Sequence, residues 1–167
     1  MSATVTIRHA AADDIPALQE IYNHYILNTT MTFDLEPVSL ENRMRWFSHY
    51  APGSRHQLLV AVKGSTPVGY ASSSIFREKA AYATSVESSI YIHPDHTGEG
   101  TGHRLYTTLM ENLQQTDVHR VYACITLPNP VSISLHRKLG FMPVGIFREA
   151  GYKFNEYRDV QWMEKAL

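Results

Sequence analysis

Apolar and polar positions alternate over residues 4–9, where Val5 and Ile7 predict an opening strand. The period then lengthens: Ile15, Leu18, Ile21, Tyr22 and Tyr25 recur at helical spacing, with Asp13 as a cap and Pro16 in the tolerated first turn. Asn28-Thr29-Thr30 breaks that pattern. Ser39 can cap a second helix carrying Leu40, Met44 and Phe47 on one face, and Pro52-Gly53 ends it. Residues 57–63 and 68–76 read as strands joined by Gly64-Ser65-Thr66-Pro67, a hairpin signal, and residues 84–92 as a further strand. A helix over residues 101–114 stacks Leu105, Leu109 and Leu113, and residues 120–126 return as a strand, a crossover that favours a parallel pair. Residues 130–139 form a short helix with Gly140 as a left-handed C-cap, and strands over 141–147 and 158–163 complete the sheet. The order predicts one α/β domain over residues 1–167.

Composition narrows the partners. A chain of 167 residues, 44% of them hydrophobic, buries about two-thirds of its unfolded surface and needs no disulfide or metal to hold a core. The net charge of −1 gives no general attraction to nucleic acid or to an anionic membrane, so anion recognition has to be local, as for a small ligand. The single cysteine, Cys124, excludes an intramolecular disulfide and suits a reducing compartment. No basic leader or membrane-length apolar run is visible, so the expected location is the cytoplasm.

One segment carries candidate chemistry. The strand ending Ile90-Tyr91-Ile92 meets His93-Pro94 and then passes through Gly98-Glu99-Gly100-Thr101-Gly102-His103 into a helix. Glycines let backbone N–H groups crowd an anion, and the helix start adds unpaired donors and the positive end of a dipole. The turn lacks the Gly-Lys-Ser/Thr ending of a triphosphate loop, since His103 follows Gly102, and its glycines fall two apart, unlike a dinucleotide fingerprint.

A second segment, Asn129-x-x-Ser132-x-x-x-His136-x-Lys138-x-Gly140-Phe141, lies one strand further on. Together with Thr97-x-x-Gly100-x-Gly102 it resembles the GNAT superfamily of acyl-CoA N-acyltransferases. The likeness is strongest to the branch that acetylates phosphinothricin, methionine sulfoximine and methionine sulfone. It rests on residues 84–92, on Ser134-Leu135-His136 and on Ala150-Gly151-Tyr152-Lys153-Phe154 leading to Asp159, and it extends over nearly the whole chain. The implied fold is a mixed, mostly antiparallel sheet with a central splayed parallel strand pair and flanking helices.

The resemblance implies acetyl-CoA as acyl donor, no metal, and a small-molecule amine as acceptor. Its diphosphate would sit on Gly98 to His103, its pantetheine arm on the main chain of Ile90, Tyr91 and Ile92, and its amides on Asn129, which can also cap the following helix. Glu87 shares a strand face with Ser85, Ser89 and Tyr91 and is the candidate base, acting directly or through water, although a solvated glutamate fits the same pattern. His136 stands where much of the superfamily has a tyrosine, and either protonates the thiolate or accepts a proton from the amine. Phe33, Arg77 and Tyr82 fall in segments that line the acceptor pocket of related enzymes, and Tyr152 and Lys153 in one that the second subunit of a homodimer supplies.

Two departures stand out. Thr97 replaces the usual glutamine or arginine, and Glu99 sets a carboxylate in a turn meant for a diphosphate, where His96, His103 and Arg104 are the nearby groups that can offset it. His93, His96 and His103 lack the compact ligand spacing of a zinc site. A non-catalytic acyl-CoA sensor, or an acetyltransferase for a peptide N-terminus or an aminoglycoside, are the alternative functions.

Overall fold

The computed structural model describes residues 4–167. A seven-stranded sheet runs in the order β1-β2-β3-β4-β5-β7-β6, built from β1 (Val5–His9), β2 (Leu58–Lys63), β3 (Thr66–Ile75), β4 (Ser85–Ile92), β5 (Arg120–Thr126), β6 (Met142–Lys153) and β7 (Glu156–Ala166). All neighbours pair antiparallel except β4 and β5, the crossover pair expected from the sequence. The helices are α1 (Ile15–Asn28), α2 (Leu40–Phe47), α3 (Thr101–Leu113) and α4 (Pro130–Lys138).

The period-two strands have two faces to cover, and each face has its own core. On one, Leu105, Leu109 and Leu113 of α3 are fully buried against Ala71, Val86, Val121 and Ala123, with Ile133 and Leu135 of α4 packed alongside. On the other, Ile15, Leu18 and Ile21 of α1 cover Leu58, Val60 and Tyr70, flanked by Trp46 and Phe47 of α2. Residues of β4 therefore divide by parity: Val86, Ile90 and Ile92 face α3, and Tyr91 faces α1.

Several boundaries differ from the sequence reading. Asp13 does not cap α1. A 3-10 turn over Ala12–Asp14 precedes the helix, and the Asp14 carboxylate there accepts from the Ala11 N–H and pairs with Arg8 through two bonds of 2.6 and 2.8 Å. Ser39 does cap α2, its hydroxyl accepting from the Asn42 N–H. However, Leu40 and Met44 are exposed, and the inward residue is Arg43, whose guanidinium lies 3.4 Å from the Trp46 ring centre and donates to the Tyr70 hydroxyl at 2.6 Å. A cation clasped by aromatic rings has taken the place of an aliphatic stripe. β3 begins two residues early, at Thr66. β6 and β7 each outrun the predicted strand, because a bulge between Phe147 and Gly151 carries the ladder through Arg148-Glu149-Ala150.

Candidate active site

The site begins where the parallel ladder ends. β4 and β5 pair only over Ser85↔Arg120, Val86↔Val121 and Glu87↔Tyr122, and beyond Glu87 they part. The other edge of β4 fixes what that gap exposes. The His93 N–H donates to the Val68 carbonyl at 2.8 Å, and along the register with β3 the same alternation turns the main-chain groups of Tyr91, Ser89 and Glu87 to β3. Those of Ser88, Ile90 and Ile92 therefore point toward β5, into the gap. The Ile92 carbonyl accepts from the Tyr25 hydroxyl at 2.6 Å. Tyr91 offers a ring instead of main chain, packed 5.1–5.5 Å from Tyr22, Tyr25 and Tyr70.

The glycine turn closes the far end of the gap. Gly98 and Gly100 have φ of +79° and +77°, a left-handed backbone that side chains disfavour, and Gly100 is the N-cap of α3. The ideal Cβ position of Gly102 lies 3.7 Å from both Ile90 and Ile92, so the helix start is laid against the open part of β4. Glu99 is neutralised from an unexpected direction. Lys63, at the end of β2, bonds its carboxylate at 2.9 Å and holds its pKa below the ordinary value, with His96 at 3.6 Å adding to the effect. Arg104 instead donates to the Val5 carbonyl, and the His103 side chain lines a shallow cleft beside Ile7 on the outer side of α3.

Glu87 sits at the apex, half-buried. Burial pushes its carboxyl pKa up and the Arg77 charge pulls it down. Its neighbours on this face are Arg77 and Cys124, whose thiol is pushed up to about 12 by burial and then by Glu87. The Arg77 guanidinium lies 4.4 Å from the Phe76 ring centre and 5.7 Å from that of Trp162. It lines a cavity of about 690 Å³ together with Phe76, Glu78, Lys79 and Tyr82.

His136 lies on the other side of the sheet, on α4, and is 3% exposed. Its Nδ1 donates to the Ser132 carbonyl at 2.7 Å, the only role open to a proton facing a carbonyl. This leaves Nε2 of the neutral ring as an acceptor, 3.2 Å from the Tyr106 hydroxyl of α3. Tyr106 in turn bonds the Ser88 hydroxyl on β4. Burial lowers the His136 pKa and raises that of Tyr106, and the latter also senses the Glu87 charge. A buried chain of polar groups thus links His136 to the residue after Glu87. The sequence reading missed Tyr106, because its place beside Leu105 and Leu109 looks like ordinary helical core, and missed Lys63, which only the sheet order brings to the turn.

The remaining candidates scatter. The Asn129 side chain accepts from the Ser132 N–H at 3.1 Å and caps α4. Tyr152 is exposed on the β6–β7 hairpin. Lys153, expected at the reach of a second subunit, is instead 3% exposed and bonded to Thr32 of its own chain. Among the described residues no group of three metal-ligating side chains gathers, and no helix is long and apolar enough to cross a membrane.

A strand pair that parts beyond Glu87, with a glycine turn leading into a helix and a buried polar chain beside it, makes a site for an extended ligand with an anionic end. Comparison with known proteins agrees: the Acetyltransferase (GNAT) domain model matches residues 7–162, and the chain belongs to that family of acetyltransferases. It is 42% identical to a phosphinothricin N-acetyltransferase of Streptomyces coelicolor, over 99% of this chain and 98% of that protein. It is 34% identical to an L-methionine sulfoximine/L-methionine sulfone acetyltransferase of Pseudomonas aeruginosa, over 98% and 95%. Among solved structures, a phosphinothricin acetyltransferase of Sinorhizobium meliloti in complex with AcCoA superposes with a TM-score of 0.93 at 33% identity, covering 98% of this chain and 89% of that one.

Proposed function

We propose that the chain, as one domain, transfers an acetyl group from acetyl-CoA to the amino group of a small amino-acid-like acceptor such as phosphinothricin, methionine sulfoximine or methionine sulfone. The observation that carries this reading is the end of the β4–β5 ladder at Glu87, which leaves the main chain of Ile90 and the Ile92 N–H facing the gap, free to pair with an extended amide-bearing arm beside a half-buried carboxylate. The glycine turn fits the diphosphate of that arm: left-handed Gly98 and Gly100 expose the N–H groups at the start of α3, and Lys63 relieves the repulsion from Glu99.

Acylation of an ammonium nitrogen releases two protons, and the site has a place for each. Glu87, its basicity raised by burial, takes the first directly or through one water, so that the neutral amine attacks the thioester carbonyl. The second leaves as the tetrahedral intermediate collapses: the Tyr106 hydroxyl, bonded to Ser88 of β4 within the polar chain, gives its proton to the departing thiolate and takes the nitrogen's proton in return. His136, neutral and accepting through Nε2, holds that hydroxyl in place. A main-chain N–H facing the gap polarises the carbonyl, an arrangement commonly worth about 3 kcal/mol. Arg77, steadied on Phe76 and Trp162, is placed to meet an acceptor carboxylate.

We also assign the exposed apolar edge of β6 to a second copy of the chain. Met142, Val144, Ile146 and Phe147 are each 43–69% exposed along one strand, a surface that a solvated monomer rarely leaves open. Thiol release from acetyl-CoA, followed with and without phosphinothricin or methionine sulfoximine, tests the acceptor assignment. Stimulated release by these compounds supports it. Release only with aminoglycosides or peptides would move the acceptor class, and stabilisation by acetyl-CoA without turnover on any amine would leave a sensor.

A further inference from the structure

Lys153, the last residue of β6, is nine-tenths buried and more, yet among the described residues no carboxylate forms an ion pair with it. Its ammonium donates to the Thr32 carbonyl at 2.8 Å, joining the end of the sheet to a loop 121 positions earlier in the chain. Burial lowers its pKa, and the charge of nearby Asp34 opposes the shift. Burying an ammonium on one carbonyl, with the Phe154 ring 5.2 Å away as its other favourable contact, is costly, so the position is better explained by what it holds than by stability.

What it holds is the loop over residues 29–38. Tyr22 of α1 grips the same place from the opposite side, accepting from the Thr32 hydroxyl at 2.9 Å and donating to Asp34 at 2.7 Å. Asn23 binds both the N–H and the carbonyl of Val38, which anchors the far end. Between these clamps lies Phe33. Its ring occupies the space that a Cβ on Gly151 would fill, with ring atoms 2.1–2.6 Å from that position. Gly151 and Lys153 stand two apart on β6 and therefore act from one face, the first receiving the Phe33 ring and the second the main chain beside it. The loop also borders the open part of β4, because Thr32 faces the Tyr91 hydroxyl.

We propose that Lys153 is a positioning residue: through the Thr32 carbonyl it locks the 29–38 loop, with Phe33 seated in the notch of Gly151, into one fixed wall of the acceptor pocket, and it does not touch the acceptor itself. The proposal rests on the acceptor reading of Phe33, and it has one consequence outside that reading. The hairpin that carries Lys153 also carries exposed Tyr152, Phe154 and Tyr157, so the wall is tied to the most exposed aromatic cluster on the β6 edge.

The test is Lys153→Met, which keeps the length of the side chain and removes the donor. The acceptor KM is expected to rise about ten-fold, the scale of one lost charge-assisted hydrogen bond, while kcat and the acetyl-CoA KM stay within about two-fold. Amide exchange in the free protein should quicken about ten-fold over residues 29–38 and nowhere in α3 or β5. Tyr22→Phe loosens the same loop from α1 and should give the same split, with the double variant falling short of the product of the two. An equal rise in both KM values, or unchanged exchange over residues 29–38, overturns the proposal. If Lys153→Met does not fold, Tyr22→Phe and Gly151→Ala carry the same two readouts. If the wild-type protein acetylates none of the acceptors, the acceptor assignment has failed, and the exchange measurement still decides the clamp.

Discussion

Glu87 and His136 are both polar, both inside the protein and on opposite faces of the sheet, and their environments move them in opposite directions. Burial raises the carboxyl of Glu87 above its ordinary 4.5 and lowers the imidazole of His136 below its ordinary 6.5. The active forms are the carboxylate and the neutral ring, both favoured by high pH. kcat/KM is therefore expected to fall as pH drops through the raised Glu87 value and through the lowered His136 value, and neither group produces an alkaline limb. Glu87→Gln should reduce turnover by about 100-fold or more, the usual worth of a general base, with acetyl-CoA binding unchanged by calorimetry. Unchanged turnover in this variant would take Glu87 out of the mechanism. His136→Phe should lower the rate and change the shape of the acid limb; an identical limb would leave the ring a purely structural part of α4. The same shift carries a stability signature. Neutral His136 contributes fully above about pH 6.5, the unfolded value, and its contribution is lost as pH falls through the lower folded value.

At the scale of elements, local signals and long-range contacts divided the work. Ser39 and Asn129 cap α2 and α4 as short-range chemistry predicts, and Gly140 ends α4 with a φ of +83°. Asp13 and Asp14 are adjacent and look alike in the sequence; the second became the anchor because Arg8, on β1, lies within reach of it alone. Asp14 is buried and accepts three hydrogen bonds, so Asp14→Asn is expected to cost about 1–3 kcal/mol in urea unfolding at neutral pH. Its folded pKa is depressed by Arg8, which makes this contribution complete above the ordinary value of 3.8 and lost as pH falls through the folded value. Wild type and variant should therefore converge in acid. If the gap persists at low pH, the loss is one of packing and not of charge. In α2, Arg43 took the buried position that the apolar pattern assigned to Leu40 and Met44, since a guanidinium can stack on Tyr22 and Trp46 at once while an aliphatic side chain cannot.

The whole molecule adds what no element contains. A seven-stranded sheet covered on both faces still ends in β6, an edge with an apolar surface on a twelve-residue strand. If a second copy covers it, sedimentation should show twice the 19.0 kDa chain mass, and Ile146→Asp should return a monomer. A monomeric wild-type protein would leave that edge to another partner.

The elements, the glycine turn and the pairing of Glu87 with a strand were legible from residues near one another, because periodicity, capping and left-handed turns are decided within a few positions of the chain. So was the crossover, since a strand, a helix and a returning strand have one common handed solution. Other features joined residues that sequence distance keeps apart: Lys63 with Glu99, His136 with Tyr106 and Ser88, and Lys153 with Thr32. Each is a polar contact whose partner is chosen by sheet order and by burial, and a buried donor or acceptor takes whichever partner the packing brings to it. The composition of the site was therefore written locally, and its wiring was decided by the tertiary fold.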